Sequence, residues 1–301
     1  MANTVSTAYI HKLAERSLTY LATNGIAFSR FSTNIGGGVK EKGETVKTRL
    51  AGALTAGNKI VDGPNPTPQD AALSEVLVTL NKLAYVRIAF GDLERSYSEM
   101  KLDEEFIVPA FEALNAQVMS DVLGLATTAN GYDTHQTVST VAAFSADTMA
   151  SISRKLSENK VPHGMRLGLL SPALIESLST DGAIQNAAAF GDNQAVKEGK
   201  VPRVSGIDTF EYNGTIPSNS ENMVGIVAHP QAFAIAAREI AEPDAGTWYG
   251  QVRSVVDPIT GLPFQIRRFY DKDTEQQVVE WQILYGVTKG QVKAASRIVT
   301  A

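Results

Sequence analysis

Between Ser74 and Ala126 the spacing of apolar residues changes period once, and the change separates a strand region from a helix. Val76, Val78 and Leu80 alternate with Leu77, Thr79 and Asn81, and Tyr85, Val86, Ile88 and Phe90 carry the β-type composition on to Gly91. Beyond that break Ile107, Phe111, Leu114, Val118, Val122 and Leu125 recur every three or four residues, which at about 100° per residue keeps them in one stripe. Glu112, Gln117 and Ser120 fall off the stripe. Pro109 suits a first helical turn, where its missing N–H would have no intrahelical partner. A helix from Pro109 to Ala126 would be roughly 27 Å long, a spine with Phe111, Leu114, Val118, Val122 and Leu125 as its core face.

Upstream, residues 5–22 carry Tyr9, Leu13, Leu18 and Leu21 among polar residues, a weakly amphipathic helix that needs another surface to bury it. The polar stretch from Phe28 to Val46 contains Arg30 and three consecutive glycines and reads as an extended arm. Val46, Thr48 and Leu50 then alternate with Lys47 and Arg49 as in a half-buried strand. Ala51–Ala72 holds Pro64, Pro66, Pro68 and three glycines, so it forms no regular element. With strand-like sequence on both sides it predicts a long two-stranded excursion. Such a ribbon is at best marginally stable alone and implies a partner surface.

Downstream the pattern is mixed. Asn130-Gly131 marks a turn, and Ser145 is a helix cap ahead of Met149, Ile152 and Leu156. Arg166–Pro172 reads as a short buried strand and Ser171–Ser179 as a short helix. Val204–Asn213 and Met223–His229 are strand candidates, whereas His229–Ile240 reads as a helix with Phe233, Ala236, Ala237 and Ile240 along one side. Trp248–Pro258 looks extended. Pro263–Asp271 and Gln276–Thr288 make a hairpin with Val279, Trp281, Ile283 and Tyr285 on one face, and Lys293–Ala301 adds a last strand. The middle block is mixed α/β, neither all-helical nor a sandwich.

Composition narrows the function classes. A chain of 301 residues with 44% hydrophobic content supports one large or two medium units. It has no cysteine, which excludes disulfides and thiolate metal sites. The first residues lack the basic-then-apolar order of a signal peptide, and no apolar run approaches the roughly 20 residues that span a bilayer. A soluble protein made in the cytoplasm is expected, with no membrane partner. The net charge of −5 divides unevenly: residues 1–50 carry seven Lys/Arg against three Glu, and the last fifty-two carry seven against five. Basic ends on an acidic body are one way for neighbouring copies to attract each other.

Candidate chemistry is sparse. The glycines around Gly38–Thr45 have phosphate-loop spacing, but Glu44 stands where the lysine belongs and a strand follows instead of a helix. Ser171 sits between a strand and a helix as a hydrolase nucleophile would, yet Leu169 and Ala173 replace the elbow glycines, and a helix cap explains it better. His11, His135, His163 and His229 are dispersed turn or surface residues without metal-ligand spacing. The acidic group Asp92, Glu94, Glu99, Asp103, Glu104 and Glu105 is interleaved with Arg87, Arg95 and Lys101 and fits helix electrostatics better than a cation or acid/base site. Asn213-Gly214-Thr215 reads as a turn. No catalytic residue, cofactor or metal is expected.

Taken in order, the arm, Gly43–Leu50, the Gly/Pro-rich loop, Leu77–Asp92 and Leu102–Ala126 resemble the major capsid proteins of tailed bacteriophages, and so do Leu169–Pro172, Gly206–Asn213, Val224–Arg238 and Val278–Val287. The resemblance implies an α+β protein with the Hong Kong 97-type capsid fold. Residues 1–40 would be an N-terminal arm and 41–82 an extended β-hairpin loop. Residues 83–128 with 262–301 would be a peripheral domain holding the spine helix, and 129–261 an α/β axial domain. It implies a shell of pentamers and hexamers of this chain. Partners would be scaffolding and portal proteins, a decoration protein and double-stranded DNA packaged without sequence-specific contact. Lys47, Arg49, Asn58, Lys59 and Asp62 on the loop, and Tyr9, Leu13, Leu18 and Arg30 on the arm, become intersubunit candidates; Lys59 lies where some members form a covalent link. Encapsulin-type compartment shells share the fold and are the alternative. An α/β hydrolase using Ser171 would need an Asp/His pair that the sequence does not place.

Overall fold

The structure is a computed structural model that describes residues 32–34, 45–51, 73–92, 106–132, 137–138, 140–189, 203–242, 250–256 and 262–300. In chain order, β1 (Ser32–Asn34) precedes a ribbon of β2 (Thr45–Ala51) and β3 (Leu73–Thr79), then β4 (Lys82–Gly91) and the long helix α1 (Ile107–Leu123). β5 (Thr137–Val138), α2 (Ala146–Glu158), β6 (Leu167–Leu170), α3 (Pro172–Ser179) and α4 (Gly182–Ala189) follow. The chain continues through β7 (Arg203–Val204), β8 (Ile207–Glu211), β9 (Met223–Ala228), β10 (Phe233–Arg238) and β11 (Gly250–Val256). It ends with β12 (Pro263–Asp271), β13 (Gln276–Lys289) and β14 (Ala295–Val299).

Two six-stranded sheets organise these elements. The first runs β1-β10-β13-β12-β11 with β4 also paired to β13; the second runs β5-β14-β9-β6-β8-β7. β13 is the hub of the first sheet because its fourteen residues are long enough to pair with three strands. Val279, Trp281, Ile283 and Tyr285 alternate onto the face that α1 covers with Phe111, Leu114, Val118 and Val122, all at most 3% exposed. Phe111 meets Phe264 of β12 edge-on at 5.5 Å. Leu125 lies two residues past the helix and is half-buried, so the helical stripe ends one turn earlier than the apolar spacing predicts.

The second sheet is built by local rules that the sequence states openly. Ser145 caps α2, its hydroxyl accepting from Thr148 N at 3.4 Å, and Met149, Ile152 and Leu156 are fully buried. The other end of α2 is finished by buried Arg166, which donates to the carbonyls of Ser153, Val161 and Pro162 and to the hydroxyls of Ser153 and Ser157. A cation there opposes the negative end of the helix dipole.

One expectation is corrected. His229–Ile240 is not a helix: His229 caps a single 3-10 turn and Phe233–Arg238 is strand β10. Both faces of β10 are buried, so its apolar run lacks the alternation that would have betrayed a strand. For the same reason His229, expected at a turn or on the surface, is in the turn but only 7% exposed. Each sheet draws strands from both sides of residue 261. β10 and β11 belong to the sheet of β4, β12 and β13, while β14 pairs with β9 and β5 in the other.

Candidate assembly surfaces

The ribbon is antiparallel from Thr45↔Thr79 to Ala51↔Leu73. Register places Lys47 opposite Leu77 and Arg49 opposite Glu75, and alternation within β3 puts Leu77 on one face and Val76 and Val78 on the other. The two faces meet different surroundings: Leu77 is 48% exposed whereas Val78 and its neighbour Leu80 are at most 1% exposed. Val78 and Leu80 form a small cluster with Ala234 and Ala236 of β10, separate from the main core. Asn58, Lys59 and Asp62 at the tip, and Tyr9, Leu13, Leu18 and Arg30 in the arm, lie outside the described residues.

Next to the ribbon root, β4 exposes Leu83 and Tyr85, at 51% and 61%. Arg87 follows on the same face, its Nε donating to Glu280 at 2.6 Å and its guanidinium 5.6 Å from the Phe269 ring. Across the strand, Lys82 pairs with Asp121 of α1 at 2.8 Å, and the Tyr285 hydroxyl donates to Asp121 at 2.5 Å. Burial, then the Asp121 carboxylate, push the Tyr285 hydroxyl well above the usual tyrosine range. Lys82, Tyr85, Asp121 and Tyr285 line an open groove of about 570 Å³ between β4 and α1, together with Ala113 and Gln117. Exposed Leu and Tyr beside paired charges make a surface suited to contact.

An ion pair between a buried arginine and a partly exposed glutamate ties the second sheet to the end of α1. Arg297 of β14 is fully buried and pairs with Glu221, and it also donates to Tyr132 O and Thr128 Oγ1, each at 3.2 Å. Hydrogen bonds from Thr128, helped by Arg297, hold the Glu221 carboxyl below the usual glutamate range. Asn219 donates to the carbonyls of Leu123 and Ala126 at 3.0 and 3.1 Å, closing the helix end. The sequence reading missed this junction. Its signal was a lone arginine inside the apolar strand Ala295–Val299.

The chemical candidates are not brought together. Ser171 stands at the N-cap of α3, but its carbonyl accepts from Leu174 and Ile175 while its side chain makes no capping bond. His163 contacts Ser157 at 3.3 Å, and His229 Nδ1 accepts from Gln231 N at 3.4 Å; burial and the nearby Arg166 lower the His229 pKa. Asp92 accepts from Tyr270 at 2.7 Å, and the rest of that acidic group lies outside the described residues, as do His11 and His135. Among the described residues no three His, Asp or Glu side chains are grouped to hold a metal. Nor is any helix among them long and apolar enough to cross a membrane.

Spine helix, hub strand, second sheet and projecting ribbon together define a class: the chain has the phage capsid fold. It superposes on a chain from the capsid structure of cyanophage P-SCSP1u with a TM-score of 0.60 at 14% identity, covering 91% of this chain and 86% of that one. A chain of Mycobacterium phage Che8 gives 0.59 at 15% identity over 85% of each, and one from the mature capsid of bacteriophage PhiM1 gives 0.58 at 9% identity over 90% and 85%. No protein-family model and no curated protein sequence matches the chain. The likeness is one of fold.

Proposed function

We propose that this chain is the major capsid protein of a tailed bacteriophage, assembling into the hexamers and pentamers of an icosahedral shell around double-stranded DNA. The observation that carries the reading is the extent of the likeness: capsid chains of two unrelated-looking sequences align with 90% or more of this one. A subunit of this kind acts by its surfaces and not by catalysis. Heterologous contacts, in which different patches of successive copies meet, close into rings when the rotation per contact allows. The ribbon face bearing Lys47, Arg49 and Leu77, together with tip residues Asn58, Lys59 and Asp62, is assigned to one such contact. Tyr9, Leu13, Leu18 and Arg30 of the arm are assigned to another.

In this reading residues 1–40 are the arm and 41–82 the extended loop. The peripheral part is residues 83–128 with 262–301, to whose sheet β10 and β11 add strands, and the axial part is residues 129–261, to whose sheet β14 adds one. Scaffolding, portal and decoration proteins are the expected partners, the packaged DNA is held without sequence-specific contacts, and assembly takes place in the host cytoplasm before the protein resides in the virion.

The test is expression of the full chain followed by size-exclusion chromatography and negative-stain microscopy. Uniform closed particles are expected. A chain that stays monomeric with and without a co-expressed scaffold would contradict the reading, and particles that carry an enzyme instead of DNA would reassign it to a compartment shell.

A further inference from the structure

Where the ribbon meets the body, β3 does not merely leave the sheet. It crosses the sheet's second face at backbone contact distance. Ala236 pairs with Gly286 in the β10–β13 ladder, and Ala234 lies two residues along the same face. A carbon added at Gly286 would fall on the Thr79 carbonyl, 2.7 Å from its carbon and 3.2 Å from the Leu80 nitrogen. Both are backbone atoms, so no side-chain rotation relieves the clash. Three neighbouring positions therefore carry one side-chain carbon or none, directly beneath the stretch in which Val78 and Leu80 bury themselves.

We propose that Gly286, with Ala234 and Ala236, forms a seat that sets the direction in which the ribbon leaves the subunit. The ribbon's angle is then a property of its own sheet and is not imposed by the neighbour it reaches. The consequence for shell geometry rests on the ribbon being an intersubunit strap. Leverage makes the seat consequential. The contact from Val78 to Leu80 spans about 7 Å, while the seven paired residues of the ribbon span about 20 Å at the usual rise per residue. A lift of about 1 Å at the seat tilts the ribbon by roughly 8° and moves its far end by about 3 Å, a large part of the spacing between hydrogen-bonded strands. Because the Val78–Leu80–Ala234–Ala236 cluster is separate from the main core, the seat can be altered without opening that core.

The chain contains no cysteine, so two introduced cysteines can carry spin labels without background. Ala51→Cys, at the far end of the ribbon pairing, and Lys272→Cys in the exposed β12–β13 turn report the ribbon's direction in the full-length subunit. The otherwise unchanged protein should give one narrow distance distribution. Gly286→Ala should shift it by about 3 Å, by the same leverage, and Leu80→Ala should broaden it, both with a single cooperative unfolding transition. Distributions unchanged in both variants would overturn the seat. If Gly286→Ala yields no soluble protein, Leu80→Ala decides alone: a broadened distribution supports the seat and an unchanged one overturns it. Particle counts separate the two ideas. If the unsubstituted chain forms no shells the strap reading fails while the distances still decide the seat; if it does, Gly286→Ala should lower the yield of regular particles at least several-fold.

Discussion

The spine and the ribbon root are both apolar contacts on the first sheet, one on each face, and they differ in what they hold. Beneath α1 lie Trp281, Ile283, Val279 and Tyr285, large residues continuous with the core that reaches the second sheet. Beneath β3 lie Ala234, Ala236 and Gly286, and the contact is closed by two side chains, Val78 and Leu80. The first face integrates the subunit. The second carries an element held by a small cluster separate from that core. With the ribbon in its proposed role as a strap, stability and assembly would sit on opposite faces of one sheet and separate under mutation.

The largest effect should come from the spine face. Val118→Asp places an unpaired carboxylate in a site only 3% exposed, and loss of all soluble protein is expected. Normal soluble yield would place that face at the surface. Leu114→Ala, a milder probe of the same face, should cost about 2–5 kcal/mol by chemical denaturation. At the ribbon, deletion of Gly52–Ala71 should leave the subunit's unfolding midpoint unchanged and abolish shells; regular particles from the deleted chain would end the strap assignment.

The junction between the sheets predicts an intermediate, pH-dependent effect. Glu221 has its folded pKa held below the ordinary glutamate value, so its contribution to stability is present above that value and is lost as pH falls through the folded pKa. Glu221→Gln should therefore destabilise at neutral pH, with the difference from the unsubstituted protein shrinking on acidification below about pH 4.5 and vanishing once Glu221 is protonated in both states. A difference that stays constant down to strongly acid pH would show that the carboxylate's charge is not what matters. The smallest effect on the isolated subunit should be that of Leu77→Ser, within about 0.5 kcal/mol because Leu77 is half exposed. The same change should slow assembly measured by light scattering.

How much was legible in the sequence follows the same division. Elements whose residues keep a period or a cap declared themselves: Val76 and Val78 in β3 with Leu80 just beyond it, the Ser145 cap, the α1 stripe, and β13, which is buried on both faces but keeps its alternation because Glu280 and Gln282 occupy the second one. β10 did not, because this strand, covered by the core and by the ribbon, is apolar on both faces and loses its alternation, and its alanines have high helix propensity. The placement of β14 in the second sheet was equally hidden, since pairing with β9 and β5 depends on contacts distant in sequence. The Gly286 seat and the Arg297–Glu221 pair were invisible for that reason too: each joins residues whose partners only the fold brings together.

The central claim is that this chain works by holding its ribbon out to another copy of itself. Cryo-electron microscopy of the expressed protein tests that most directly. Closed shells in which each subunit's ribbon lies across its neighbour, with Leu77 covered, are predicted. A monodisperse monomer, or a shell in which the ribbon touches only its own subunit, would contradict the account.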